Sequence, residues 1–158
     1  MTKRTNLAPT RVLVAGLAAL TLSLTTGVAS ASEDSGRNGQ LHLTKDCSQY
    51  TFLAGGFCTI TSSNLAAIAP GAKVYYDQAA GVPAGMLDSN VLLYVGTGDW
   101  AVGRCTVQAS TGLGRCKFSD GTGQFAGFSA RVDVRIDFST GITYWDGTYR
   151  FIREHDDK

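Results

Sequence analysis

Between Phe128 and Phe138 the chain alternates without a break. Phe128, Ala130, Val132, Val134, Ile136 and Phe138 fall on one face, and Ser129, Arg131, Asp133, Arg135 and Asp137 on the other. Side chains of a strand leave it with a period of two, whereas on a helix the same residues would scatter around the whole circumference. The segment is therefore a β-strand with one dry face and one wet face. Just upstream, Gly121-Thr122-Gly123 permits backbone conformations that a side chain would forbid, and predicts a tight turn feeding a long curved strand.

The rest of the chain repeats this theme. Glycine is abundant at nineteen residues and proline scarce at three, and β-branched and aromatic runs recur between Gly-rich breaks, which is an all-β signature. Strands are expected at 50–53, 57–61, 73–77, 91–95, 100–107, 115–118, 124–138 and 143–152. Only 63–68 has helical character, as a short turn with Ser63 or Asn64 as its cap. In the last strand Trp145, Gly147, Tyr149 and Phe151 share a face. Too little chain follows Asp146-Gly147 for a second hairpin arm, so Gly147 is read as a kink within the strand. Antiparallel strands must hide their edges by packing as a sandwich or closing into a barrel. Glycines at 121, 123, 127 and 147 suit a sheet that bends and closes. The expected fold is all-β, a small closed antiparallel β-barrel of about eight strands, whose interior is either filled or just wide enough for one small ligand.

Residues 1–31 have a separate character. Lys3, Arg4 and Arg11 precede an apolar run from Val12 to Leu24, and Ala29-Ser30-Ala31 offers small residues for a peptidase. This is the pattern of a secretory signal peptide cleaved near Ala31, the run being shorter than the roughly 20 apolar residues that span a bilayer. Its removal leaves eleven Lys and Arg against thirteen Asp and Glu, moving the formal net charge from +1 to −2. A near-neutral, interspersed surface argues against nucleic acid and acidic membranes as partners. Residues 32–44 are expected to be a flexible leader, 45–153 a single domain and 154–158 a tail, the whole being secreted with no membrane span.

An even number of cysteines in an exported chain favours disulfides. Three pairings of Cys47, Cys58, Cys105 and Cys116 are open. Cys47 with Cys58 and Cys105 with Cys116 is preferred, because each bond would staple the arms of a hairpin turning at Gly55-Gly56 or at Ser110-Thr111-Gly112. Each such loop contributes on the order of 3 kcal/mol in the chain-entropy account. Zinc is disfavoured, since the knuckle spacing is missing and no His lies nearby. No metal and no cofactor are expected. A dinucleotide site at Gly121-x-Gly123-x-x-Ala126 is rejected because a strand, not a helix, follows.

The run from Asp120 to Arg131, Asp-Gly-Thr-Gly-Gln-Phe-Ala-Gly-Phe-Ser-Ala-Arg, resembles the Gly-rich turn and long strand of the allene oxide cyclase and dirigent barrel superfamily. Val74-Tyr75-Tyr76-Asp77 and Val102-Gly103-Arg104 are similar to shorter dirigent segments. Asp120 stands where the family turn has Gly, and the stretch between Arg104 and Ser119 is shorter than in dirigent proteins. The resemblance implies a cofactor-free barrel that holds a reactive apolar molecule and imposes stereochemistry on its cyclisation or coupling.

By strand parity and this resemblance, the site candidates are Asp77 and Arg104 for proton transfer and oxyanion support, with Tyr76, Trp100, Phe128, Trp145 and Tyr149 as ligand-binding walls. No nucleophilic triad is present: His42 and His155 lie near the termini and no nucleophile elbow occurs. Two functions follow as expectations. One is a secreted barrel that binds a small hydrophobic molecule, with cyclase, isomerase or stereocontrol activity. The other is a filled, non-catalytic barrel that meets a protein or cell-envelope partner through its outer surface. A dimer or trimer is compatible with either.

Overall fold

The computed structural model describes residues 38–152. Eight strands run in chain order: β1 (Asn38–Asp46), β2 (Phe57–Ser63), β3 (Lys73–Tyr76), β4 (Met86–Gly96), β5 (Asp99–Gln108), β6 (Leu113–Thr122), β7 (Phe128–Ile136) and β8 (Ile142–Phe151). Each pairs antiparallel with the next, and β1 closes on β8 through a ladder from Asn38↔Arg150 to Asp46↔Ile142, so the sheet is a closed barrel. The expected signal peptide, the first residues of the leader and the tail with His155 lie outside the described residues.

Alternation sets the wall. Along β7, Phe128, Ala130, Val132 and Val134 are buried while Arg131, Asp133 and Arg135 are exposed. Across the wet face Arg115 Nε donates to Asp133 Oδ1 at 2.9 Å, and the Arg135 guanidinium lies 4.1 Å over the Tyr144 ring. The strand ends at Ile136, so Phe138 leaves the wall and is 64% exposed. At its other end, residues 124–127 are a turn rather than strand: Gly123–Phe125 form a 3-10 turn that drives Phe125 into the interior. Gly123 has φ +58°, and a Cβ there would stand 2.0 Å from Asp99 Oδ1. Gly147 lies inside β8 without a turn, and a Cβ there would meet the Arg131 carbonyl oxygen at 2.0 Å. Its glycine lets β7 and β8 approach where the sheet bends.

Two sequence expectations fail at the N-terminal side. The leader assigned to 32–44 overlaps β1, which begins at Asn38. Ladders with both β2 and β8 order this polar stretch, and Leu41 and Leu43 anchor it in the core. The strand expected at 50–53 is instead a loop between β1 and β2, where Phe52 has φ +61°. The short turn expected at 63–68 is present just past the end of β2, though without helix: the Leu65 amide donates to Oγ of Ser63, an expected cap, at 3.1 Å, and the Ile68 amide to the Leu65 carbonyl at 2.9 Å.

Both disulfides form as preferred, Cys47–Cys58 and Cys105–Cys116. Cys105 and Cys116 are direct partners across β5 and β6. Cys47 continues the β1–β2 register one step past Asp46↔Thr59. All but Cys47 are fully buried.

Candidate functional site

The interior is divided along its length. At the end holding the β2–β3 and β6–β7 connections it is solid: Phe125 meets Phe128 edge-on at 5.3 Å, Phe128 meets Phe118 at 6.2 Å and Phe151 at 5.1 Å, and Phe118 meets Trp145 at 5.6 Å. Aromatic pairs at such separations add to the burial they provide. Leu65, Ile68 and Ala72 are buried in the β2–β3 loop at this end. Toward the opposite end the filling stops, and a cavity of about 520 Å³ opens between the ends of β1, β3, β5 and β7 and the starts of β2, β4 and β8. Its walls are Leu87, Val107, Val134 and Ile136, and its lip carries Phe52 and Phe138, both about two thirds exposed. Volume and apolar lining are in the range of small-molecule sites.

Lys45 is the unexpected element. It follows Leu41 and Leu43 on the inward face of β1, is 2% exposed, and borders the cavity. Its Nζ donates to the Tyr76 hydroxyl, lies 4.3 Å over the Trp145 ring and 5.0 Å from the Tyr76 ring centre. Among the described residues every ion pair is elsewhere, on the outer wall: His42 with Asp146, Arg104 with Asp88, and Arg115 with Asp133. Lys45 thus has aromatic faces and one hydroxyl but no carboxylate. Burial of the charged form pulls its pKa from 10.5 down to about 7. A bulge where Thr44↔Ser62 is followed by Lys45↔Ile60 leaves Thr61 and Ser62 both facing out, and the Thr44 hydroxyl bonds to each, at 2.6 and 2.7 Å. This outer clasp fixes the strand segment that carries Lys45 inward.

The groups around the ammonium are polar but not acidic. Tyr76 is buried at the end of β3, and burial, followed by neighbouring Tyr50, holds its phenol well above the ordinary range. Tyr50 packs 5.1 Å from Tyr76 and 5.1 Å from Phe52, its pKa also raised by burial. Its hydroxyl and the Trp145 indole N–H are buried without hydrogen-bond partners. Thr143, buried on β8, has its Oγ1 3.6 Å from Cys47 Sγ. Orphaned buried polar groups are uncommon in folded proteins.

Of the seven candidates drawn from the sequence, only Tyr76 borders the cavity, with Trp145 beneath Lys45. Phe128 belongs to the solid half, and Tyr149 packs against Phe151 at the far end, with ring centres 6.0 Å apart. Asp77 and Arg104 stand exposed on the outer wall. Arg104 makes a two-pronged pair with Asp88, Nε to Oδ1 and Nη2 to Oδ2 at 2.9 Å each, and also donates to Asn90, which in turn donates to Asp77. Trp100 shares the outward parity of Arg104 on β5 and is half-buried. The physical reason is parity: on β5 the inward residues are Ala101, Cys105 and Val107, and Asp77 lies one step beyond inward Tyr76. Lys45, Tyr50, Phe52, Phe138 and Thr143 were missed, although Leu41, Leu43, Lys45 is itself a period-two signal.

Fold and site together define a closed eight-stranded barrel, plugged at one end, with an apolar cup at the other and a buried lysine on the cup floor. Compared with protein-family models, curated proteins and solved structures, the chain matches none.

Proposed function

We propose that this protein is a binding barrel for one small, mainly apolar molecule, held in the cup above Lys45 and Tyr76. The observation that carries it is a lysine buried beside a cavity of about 520 Å³ with no carboxylate partner. An unpaired buried ammonium costs folding free energy, and perturbed ionisable groups in clefts concentrate at functional sites. Apolar Phe52 and Phe138 at the lip give such a molecule a path in without crossing charge. The resemblance of the Asp120–Arg131 run to allene oxide cyclase and dirigent barrels supports the same function, since those barrels hold apolar molecules. Two disulfides favour an oxidising compartment, in keeping with the export signal read at 1–31. Asp77 and Arg104 face solvent on the outer wall, so they do not touch a molecule held in the lumen.

The test uses Trp145 as reporter, since its ring lies under the Lys45 nitrogen. In a Trp100→Phe variant, which leaves Trp145 as the sole tryptophan, a panel of alcohols, arenes and acids of increasing apolar size is titrated while emission is followed. Saturable one-to-one changes are expected for some members, and their loss when Leu87→Phe is added to the same background, which narrows the cup without bringing in a second indole. Absence of saturable binding across the panel would exclude the lumen as a site.

A further inference from the structure

Resting on the lumen-binding function proposed above, we infer that the cup selects amphipathic carboxylates, bound head-down, with the carboxylate on Lys45 and the hydrocarbon body directed toward Phe52 and Phe138. The polar side chains around the cavity are Lys45, Ser48, Tyr50, Tyr76 and Thr143, and none carries a negative charge. An ammonium has three donors, and Lys45 uses one, on Tyr76. Tyr50 contributes a further buried hydroxyl without a partner. The floor therefore offers hydrogen-bond donors and lacks an anionic acceptor, while the walls from Leu87 to Ile136 and the lip are hydrocarbon. Positive charge sits at one depth only, so the complementary ligand has one charged end.

The sign of the head follows from energetics. A neutral oxygen would leave the buried cation uncompensated, and an amine would add a like charge. A carboxylate alone turns the ammonium into a buried hydrogen-bonded pair, where such bonds are strong. The titratable groups facing Lys45 are Tyr76 from β3 and Tyr50 from the β1–β2 loop, both held neutral above the usual phenol range. Carboxylate binding then requires the protonated lysine, which in the free protein is lost above about pH 7.

The probes are decanoate, 1-decanol and decylamine, titrated calorimetrically into the full chain between pH 6 and 9. At pH 6 decanoate is expected to bind at least tenfold tighter than decanol, with decylamine weakest. Above pH 7 its advantage should shrink toward tenfold per pH step, while decanol affinity stays level. In Lys45→Met the preference for decanoate should vanish and decanol binding persist. Equal affinity of decanoate and decanol in the wild-type protein at pH 6 overturns the carboxylate assignment while leaving lumen binding intact. A retained decanoate preference in Lys45→Met does the same. The wild-type pH series decides the matter even if that variant fails to fold. Failure of all three probes to bind removes the lumen function itself.

Discussion

Replacing Lys45 by Met should make the protein more stable, and by an amount that depends on pH. The gap between about 7 in the fold and 10.5 in an open chain, at about 1.4 kcal/mol per pH step, amounts to about 5 kcal/mol. Its sign follows from proton counts. Between those two values the unfolded chain keeps a proton on Lys45 that the fold has released, so unfolding takes up a proton and stability rises with pH. Below pH 7 both states are protonated and the full cost of burying the charge is present. Wild-type protein should therefore gain about 3 kcal/mol of unfolding free energy between pH 7 and 9.5 from this one group. Methionine keeps an unbranched apolar chain in the same space and carries no charge. The variant should lack this rise and be several kcal/mol more stable than wild type at pH 6. Urea unfolding followed by tryptophan emission, with both disulfides intact, at half-unit steps from pH 6 to 9.5, measures both curves. The difference between them cancels groups other than Lys45. A difference that does not change with pH, or a variant less stable than wild type at pH 6, would refute the claim that Lys45 is a buried, uncompensated cation.

Two further outcomes bear on the plugged end. Gly123→Val should unfold or aggregate the protein, because φ +58° and an Asp99 oxygen 2.0 Å from the new Cβ leave a branched side chain neither conformation nor room. A thermal midpoint equal to that of wild type would show the turn to be tolerant. Phe125→Ala should cost about 3–5 kcal/mol, as deletion of a fully buried ring does. It should leave affinity at the cup unchanged where the variant is folded, since Phe125 plugs the other end. Calorimetric titration with the best-binding alcohol separates the two effects.

Parity is a local property, and it made the walls legible. Phe128 to Ile136, Trp145 and the pair Cys105 and Cys116 occupy the faces their spacing demands, because successive side chains of a strand must alternate whatever surrounds them. Glycine at 123 and 147 marked the tight turn and the kink for an equally local reason: a Cβ has nowhere to go. Closure of the sheet was an inference from the need to hide edges, and eight strands do close. The same reasoning failed where the apolar signal was thin. Leu41 and Leu43 are the only large apolar residues of β1, so the stretch reads as a leader; its partners lie beyond its own local pattern, in β2 and, at the far end of the chain, in β8. Tyr50 and Phe52 have strand-like side chains but sit in a loop, because the chain there must turn over the mouth to bring Cys47 onto Cys58.

What the sequence determined by itself is that each strand has two alternating faces, with the inward set of β7 and β8 plain, and that the chain must turn tightly at Gly123; among three possible cysteine pairings it favoured the one that forms. Each of these depends on spacing over a few residues or across one hairpin. Only the tertiary structure decided the height of each inward residue along the barrel axis, and function hangs on that height. Phe118, Phe125, Phe128 and Trp145 converge in one half and fill it, while Lys45 and Tyr76 are brought together at the edge of the space left in the other. Axial position depends on the stagger accumulated around all eight strands and on the β1–β8 seam. That quantity is a sum over non-local pairings, which no short stretch of sequence encodes.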